Sequence, residues 1–304
     1  MPSPQNLFKA YNQHHDLTYL EALRNIRTNG RLIKNDRTGT GTYSLHGLQM
    51  RFDMSAGRFP LLTTKKLFTR GIIEELLWIL RGSTDNQELA DINVHIWDEW
   101  ALTEDFVEDY TLRPHERMVE YLTMYPQLSI VETRQKLDAL GLEKGHAFLD
   151  EQNVPRTKKV VRYRKGELGP IYGKQWRSWM GADRQIVDQI SELIDNLIKK
   201  PYSRRHVVSA WNPTELPDES ISPQDNVKQG RMALAPCHCL FQFFVHPMTL
   251  PERFQAAEQK LGYPVIVAPD YEKSPNEVLD ELGVPDKRLS CQLYQRKQHC
   301  ALVA

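Results

Sequence analysis

The stretch 186–200 constrains this chain most. Ile186, Val187, Ile190, Leu193, Ile194, Leu197 and Ile198 keep helical spacing, and Pro201 stops the run. Apolar segments at 206–212, 238–245 and 289–295 follow. Each has the length and bulk of a buried strand. Upstream, Asp16 can cap a helix through Leu17, Leu20, Leu23 and Ile26, with Gly30 past its end. Residues 43–54 read as a strand, and 71–82 as a mostly buried helix ending near Gly82. Helices and strands mix without a strict βαβ rhythm, which favours α+β over a doubly wound sheet.

Two stretches interrupt this pattern and read as insertions. Residues 102–165 are highly charged, with a capping box at Ser129 and Glu132. They end in six basic residues between Arg156 and Lys165, either a solvated face or a phosphate- or RNA-binding surface. Residues 246–288 hold two more helix starts, at Thr249-Leu-Pro-Glu252 and Ser274-Pro-Asn-Glu277, with Gly283 closing the second.

Composition excludes several classes. With 39 basic and 39 acidic residues, the chain has no general attraction to nucleic acid or anionic lipid. Four cysteines in 304 residues are no disulfide framework. No apolar run is long enough to span a bilayer, and the start has no secretory pattern, so a cytoplasmic location is expected.

Three segments could carry chemistry. Asn35-Asp-Arg-Thr-Gly-Thr-Gly-Thr42 could wrap an anion with backbone N–H groups and Arg37, or form a plain turn. It is not a P-loop, because the Gly-Lys-Ser/Thr ending is absent. In Ala235-Pro-Cys-His-Cys239, Cys237 is open to three readings. It could be a metal ligand in a poor zinc pattern, a buried inert thiol, or a nucleophile activated by nearby positive charge. Ser203-Arg204-Arg205 could clamp a phosphate or sit on the surface.

Together these segments resemble the thymidylate synthase family. The resemblance rests on NDRTGTGT at 35–42, QMRF at 49–52, FPLLTTKK at 59–66, EELLW at 74–78 and IWDEWA at 96–101. It continues through LGPIYGKQWRSW at 168–179, DQI at 188–190, SRRHVVSAWNP at 203–213, ALAPCHCLFQFFV at 233–245 and LSCQLYQR at 289–296. It implies one domain over 1–304 with a mixed sheet flanked by helices, carrying the insertions 102–165 and 246–288. It also implies conversion of dUMP to dTMP with 5,10-methylenetetrahydrofolate as cosubstrate and no metal.

Residue by residue, the resemblance makes Cys237 the nucleophile that attacks C6 of the pyrimidine. Arg37, Arg204, Arg205 and Arg296 become the phosphate site, with Arg204 and Arg205 reaching across a homodimer. Glu75 organises water and assists proton transfer, and Trp97 walls the folate ring. Tyr172 aids proton removal at C5. Ser209 lies on the neighbouring strand, and His238 and Gln295 take supporting places in substrate binding. After Arg296 the family pattern breaks off. Residues 297–304 read as a tail foreign to it, so a sheet incomplete at the C-terminus and inactivity of the chain alone are expected. Two alternatives accompany this reading. One is a dUMP or dCMP hydroxymethylase; the other is a non-catalytic nucleotide- or RNA-binding remnant.

Overall fold

A computed structural model describes residues 14–34, 41–54, 59–112, 114–139, 143–144, 147–148, 157–296 and 299–300. Helices are mixed with small antiparallel sheets, in keeping with α+β. Where a mixed sheet was expected, every strand pairing among the described residues is antiparallel. The chain packs as two compact units. One takes the described residues up to Ser83, Ile171–Leu216 and those from Ala235 onward; the other takes Thr84–Pro170 and Pro217–Leu234.

The first unit opens with helix α1 (His15–Asn29), followed by strands β1 (Arg31–Ile33) and β2 (Thr42–Ser44). His14, not Asp16, is the N-cap of α1. Asp16 sits in the first turn, where its carboxylate accepts the backbone N–H of Thr63 at 3.0 Å. The strand expected over 43–54 ends at Ser44. Gly47 has φ +80°, a left-handed conformation that turns the chain and ends the extended run.

Helix α2 (Thr69–Arg81) stops at Gly82, as its sequence predicts. It is not mostly buried: Gly71, Trp78 and Ile79 are covered, while Ile72, Ile73, Leu76 and Leu77 are exposed.

The second unit contains a short helix α3 (Gln87–Ala90) and the antiparallel pair β3 (Phe106–Thr111) and β6 (Thr157–Tyr163). Between them lie α4 (Pro114–Met124), α5 (Ile130–Ala139) and a two-residue ladder of β4 (Glu143–Lys144) with β5 (Ala147–Phe148). Leu112 and Leu137 form a small core there, with Tyr110 and Met118 packed on it. The capping box at the start of α5 is present: the Ser129 N–H donates to the Glu132 carboxylate at 2.8 Å.

The chain returns to the first unit at α6 (Tyr172–Arg177), which packs on α2. Arg177 donates to the Leu80 carbonyl at 3.0 Å and so satisfies an open acceptor in the last turn of α2. The helix expected over 186–200 begins later, as α7 (Gln189–Lys199). Ile186 and Val187 instead form β8 (Ile186–Val187) against β7 (Trp179–Met180). Asp188 makes the boundary, because its side chain caps α7 by accepting the Ser191 N–H at 3.0 Å.

The three expected strands exist as β9 (Val207–Ser209), β10 (His238–Pro247) and β11 (Lys287–Gln295), in the order β11-β10-β9. The short helix α8 (Pro223–Lys228) belongs to the second unit. Strand β11 was expected to be buried, yet it is exposed along most of its length. It lies at the edge of this sheet, so only β10 covers it within the ladder. Between β10 and β11 stand α9 (Leu250–Leu261) and α10 (Pro275–Glu281), both opened by the predicted capping boxes. They close over Ala257, Leu279 and Val284. Buried Arg253 ties the two helices together, donating to Asn276 at 2.7 Å and to the Val284 carbonyl at 2.9 Å. The last pairing joins β12 (His299–Cys300) to β2.

Candidate active site

The turn before β10 gathers four of the predicted site residues. Cys237 is half-buried, and both of its backbone polar groups are held from elsewhere in the first unit. Its N–H donates to the Tyr172 hydroxyl at 2.7 Å, and its carbonyl accepts the Arg296 N–H at 2.7 Å. The same Tyr172 oxygen accepts the His238 N–H at 3.2 Å. Tyr172 reaches this position because it opens α6 with its ring 6% exposed, packed edge-on against Trp176 with centroids 5.9 Å apart. Burial pushes the Tyr172 phenol up to about 12, against the opposing effect of the two N–H donors. At neutral pH the group is therefore a phenol, not a phenolate.

Arg296 is held in three ways. Its Nε donates to the Pro236 carbonyl at 3.3 Å, an Nη donates to Ala235 at 3.4 Å, and its guanidinium lies 5.9 Å from the Trp211 ring centroid. This places a permanent cation against the 235–237 turn. Gln295 faces His238 across the β10–β11 ladder. Gln295 and Arg296 also line a cavity of about 150 Å³ with Ser44, Leu45, His46, Gly47 and Tyr294.

Ser209, in β9 beside β10, is fixed by a residue the sequence reading did not single out. Gln189 accepts the Ser209 N–H at 3.0 Å and returns a bond to the Ser209 carbonyl at 2.9 Å. Its amide also reaches the Gln175 carbonyl at 2.8 Å. One side chain thus joins α6, α7 and β9. The DQI motif at 188–190 was the available signal, since it names both this Gln and the capping Asp188. Glu215, likewise missed, accepts from Gln175 at 2.6 Å and from Asn212 at 2.9 Å.

Arg204 and Arg205 are exposed at the entrance to β9. Arg205 lines a cavity of about 360 Å³ with Gln189, Leu193, Val207 and Ser209. Glu75 is half-buried on α2. Trp97 is 5% exposed and belongs to the second unit. Arg37 lies outside the described residues.

In the basic run, Arg162 is bound to Glu108 at 2.9 Å across β3 and β6, and Lys158 lies 5.7 Å from the Tyr110 ring centroid. These two cations are engaged within the fold. Cys237, Cys239 and Cys291 are free thiols. His14, His15 and Asp16 are grouped at the start of α1, where Thr63 occupies the Asp16 carboxylate. Among the described residues no helix is long and apolar enough to cross a membrane.

The sequence model of the family described as "Thymidylate synthase" matches residues 17–303, a span that takes in both expected insertions. The chain belongs to the thymidylate synthase family. Proteins named thymidylate synthase from three strains of Francisella tularensis subsp. holarctica (FTNF002-00 / FTA, OSU18 and LVS) are each 39% identical to it over 252 residues. Each alignment covers 82% of this chain and 68% of the relative. Thymidylate synthases are methyltransferases that act on dUMP with methylenetetrahydrofolate as cosubstrate. The membership favours neither hydroxymethylase nor remnant.

The LGPIYGKQW motif of the family has a structural reason here. Gly169 has φ +72°, and a Cβ at that position would stand 2.1 Å from the Arg231 carbonyl oxygen. Only glycine lets the motif make that turn against 231.

Proposed function

We propose that this chain methylates dUMP through a thiolate at Cys237, with Tyr172 and Arg296 holding that residue in place. The observation that carries the reading is the double grip on Cys237: its N–H bound by Tyr172 and its carbonyl by the Arg296 backbone. A nucleophile must stay aligned with the electrophilic carbon, and fixing both flanking peptides does this.

The thiolate attacks C6 of the pyrimidine, and C5 becomes the carbon that gains the one-carbon unit. Arg296 acts as the fixed cation beside the turn. With Arg37, Arg204 and Arg205 it binds the 5′-phosphate dianion. A symmetric homodimer, with Arg204 and Arg205 contributed to the partner's site, suits their exposure.

The cosubstrate's pterin ring is flat, apolar on its faces and polar at its edge. On α2, half-buried Glu75 stands beside the exposed side chains of Ile72 and Leu76. That combines an acceptor for a ring N–H with apolar surface, so these residues fit the group. When bound, methylenetetrahydrofolate supplies both the carbon and the hydride. Glu75 orders water and relays protons at the pyrimidine. Tyr172 acts in its protonated form as a hydrogen-bonding relay for the C5 proton, because its phenol ionises only near 12. Ser209, His238 and Gln295 position the substrate.

The test is product formation from dUMP and methylenetetrahydrofolate by wild type, C237A and R205A. The break after Arg296 leads to an expectation of inactivity, whereas the double grip on Cys237 leads to the opposite one: wild type is expected to form dTMP and both variants to fail. Mixing the two inactive variants should restore part of the activity if Arg205 serves the partner's site. No recovery would remove the cross-subunit role.

A further inference from the structure

We propose that Cys237 and Cys239 form a reversible oxidative modification site, in which a hydroperoxide oxidises Cys237 and the Cys239 thiol closes a disulfide across His238. The proposal rests on the reading of Cys237 as a reactive thiolate and adds a role for a cysteine that the methylation reaction does not use.

Position comes first. Cys237 is half-buried, whereas Cys239 is 6% exposed. An oxidant from solvent therefore meets Cys237 before Cys239. The Cys239 side chain turns back along the chain, with its Sγ 3.5 Å from the Pro236 carbonyl oxygen and 3.7 Å from that of Cys237. In a regular strand, residues two apart are separated by about 6.6 Å, near the upper limit for a disulfide. This strand is not regular here. The β10–β11 register shifts between His238 and Leu240, so Cys239 sits at a bulge, where the chain bends.

Electrostatics agree with position. Burial pushes the Cys239 thiol up, and the Arg296 guanidinium pulls it back down. The Arg296 cation thus helps Cys239 to deprotonate when it attacks. Cys291 is a poor competitor. It faces Phe243 in the ladder, four positions along β10 from Cys239 and so about 13 Å away.

The chemistry balances. The Cys237 thiolate attacks the terminal oxygen of the hydroperoxide. The O–O bond breaks, an alcohol leaves after protonation, and Cys237 becomes a sulfenic acid. Cys239, as thiolate, then attacks the Cys237 sulfur. The S–O bond breaks, and hydroxide leaves with the Cys239 proton as water. Two thiols and one hydroperoxide give one disulfide, one alcohol and one water. A disulfide across a single residue is strained and readily reduced, so an external thiol returns both cysteines. Without a resolving thiol, Cys237 would continue to the sulfinic acid, which is not recovered.

The full chain is treated with hydrogen peroxide, quenched with iodoacetamide, digested and examined by mass spectrometry, with and without dithiothreitol. The expected result is a wild-type peptide containing both cysteines that is lighter by two hydrogens, unalkylated and restored by dithiothreitol. C239A and C239S should trap Cys237 as sulfenic then sulfinic acid, with about tenfold less thiol recovered. A wild-type peptide with sulfinic Cys237 and alkylated Cys239, or a Cys237–Cys291 disulfide, would overturn the proposal. If Cys237 reacts with neither peroxide nor iodoacetamide faster than Cys291 does, the nucleophile reading fails and the proposal fails with it.

Discussion

The Tyr172 hydroxyl oxygen accepts the backbone N–H of Cys237 at 2.7 Å, so the first turn of α6 fixes the peptide that carries the proposed nucleophile. The same oxygen takes the N–H of His238. Replacing Tyr172 with Phe leaves two amide donors unpaired beside a ring that stays in place. The cost of an unpaired buried donor is about 1–3 kcal/mol. Y172F should therefore unfold at lower denaturant with an unchanged slope, and its turnover should fall by about tenfold or more. A variant with wild-type stability and activity would show that the contact is idle.

The Tyr172 phenol also sets an alkaline limit. Its folded value of about 12 lies above the ordinary 10.0, so the folded chain holds this proton more tightly than the unfolded chain. Above the ordinary value the unfolded state releases the proton first, and stability falls as pH rises toward the folded value. Denaturation followed across that range should show this fall in wild type and a shallower one in Y172F. An identical slope would remove Tyr172 as the source.

Arg296 should not tolerate lysine. Its Nε and Nη bonds to Pro236 and Ala235 and its place over Trp211 use the planar guanidinium. An ammonium keeps the charge but loses the fork and the stacking. R296K is expected to lower kcat/KM for dUMP by about 10- to 100-fold and to slow alkylation of Cys237. Unchanged alkylation would separate Arg296 from the thiol.

Asp188 joins the α7 cap to an ion pair with Arg177 at 2.8 Å. Burial works against its charge, but the Ser191 bonds and the Arg177 cation outweigh this and hold the carboxyl below its usual range. A lowered carboxyl stabilises the fold above its ordinary value, and that stability is lost as pH falls through the folded value. D188A should cost about 1–2 kcal/mol at neutral pH, and the difference from wild type should shrink in acid. A difference that is constant with pH would assign the loss to something other than the carboxylate charge.

Local signals were the ones legible in the sequence. Both capping boxes in 246–288, the stop at Gly82 and the core of each C-terminal strand follow from neighbouring residues, and the chain realises them. The misses concern partners outside the segment whose pattern was read. Asp16 looks like a helix cap until Thr63 arrives to take its carboxylate. Ile186 and Val187 fit the helical period, but their pairing with Trp179 and Met180 overrides it. Burial of α2 and β11 depends on what packs against them, which periodicity does not encode.

At the site, the motifs identified Cys237, Tyr172 and Arg296 as members of one constellation, but not the form of their contact. That Tyr172 receives two peptide N–H groups is a backbone relationship, invisible in side-chain identity. Gln189 was hidden for the same reason. Its amide works on the main chain of Ser209 and Gln175, a contact that the DQI motif marks by position but does not specify.

The central claim is that Cys237 bonds covalently to C6 of dUMP during methylation. The direct measurement uses the 5-fluoro analogue of dUMP, whose C5 carries no proton to remove, together with methylenetetrahydrofolate. Mass spectrometry of the denatured, digested chain should find the nucleotide and the folate joined to the peptide bearing Cys237, and C237S should give no adduct. An adduct on another residue, or one that persists undiminished in C237S, would contradict the account.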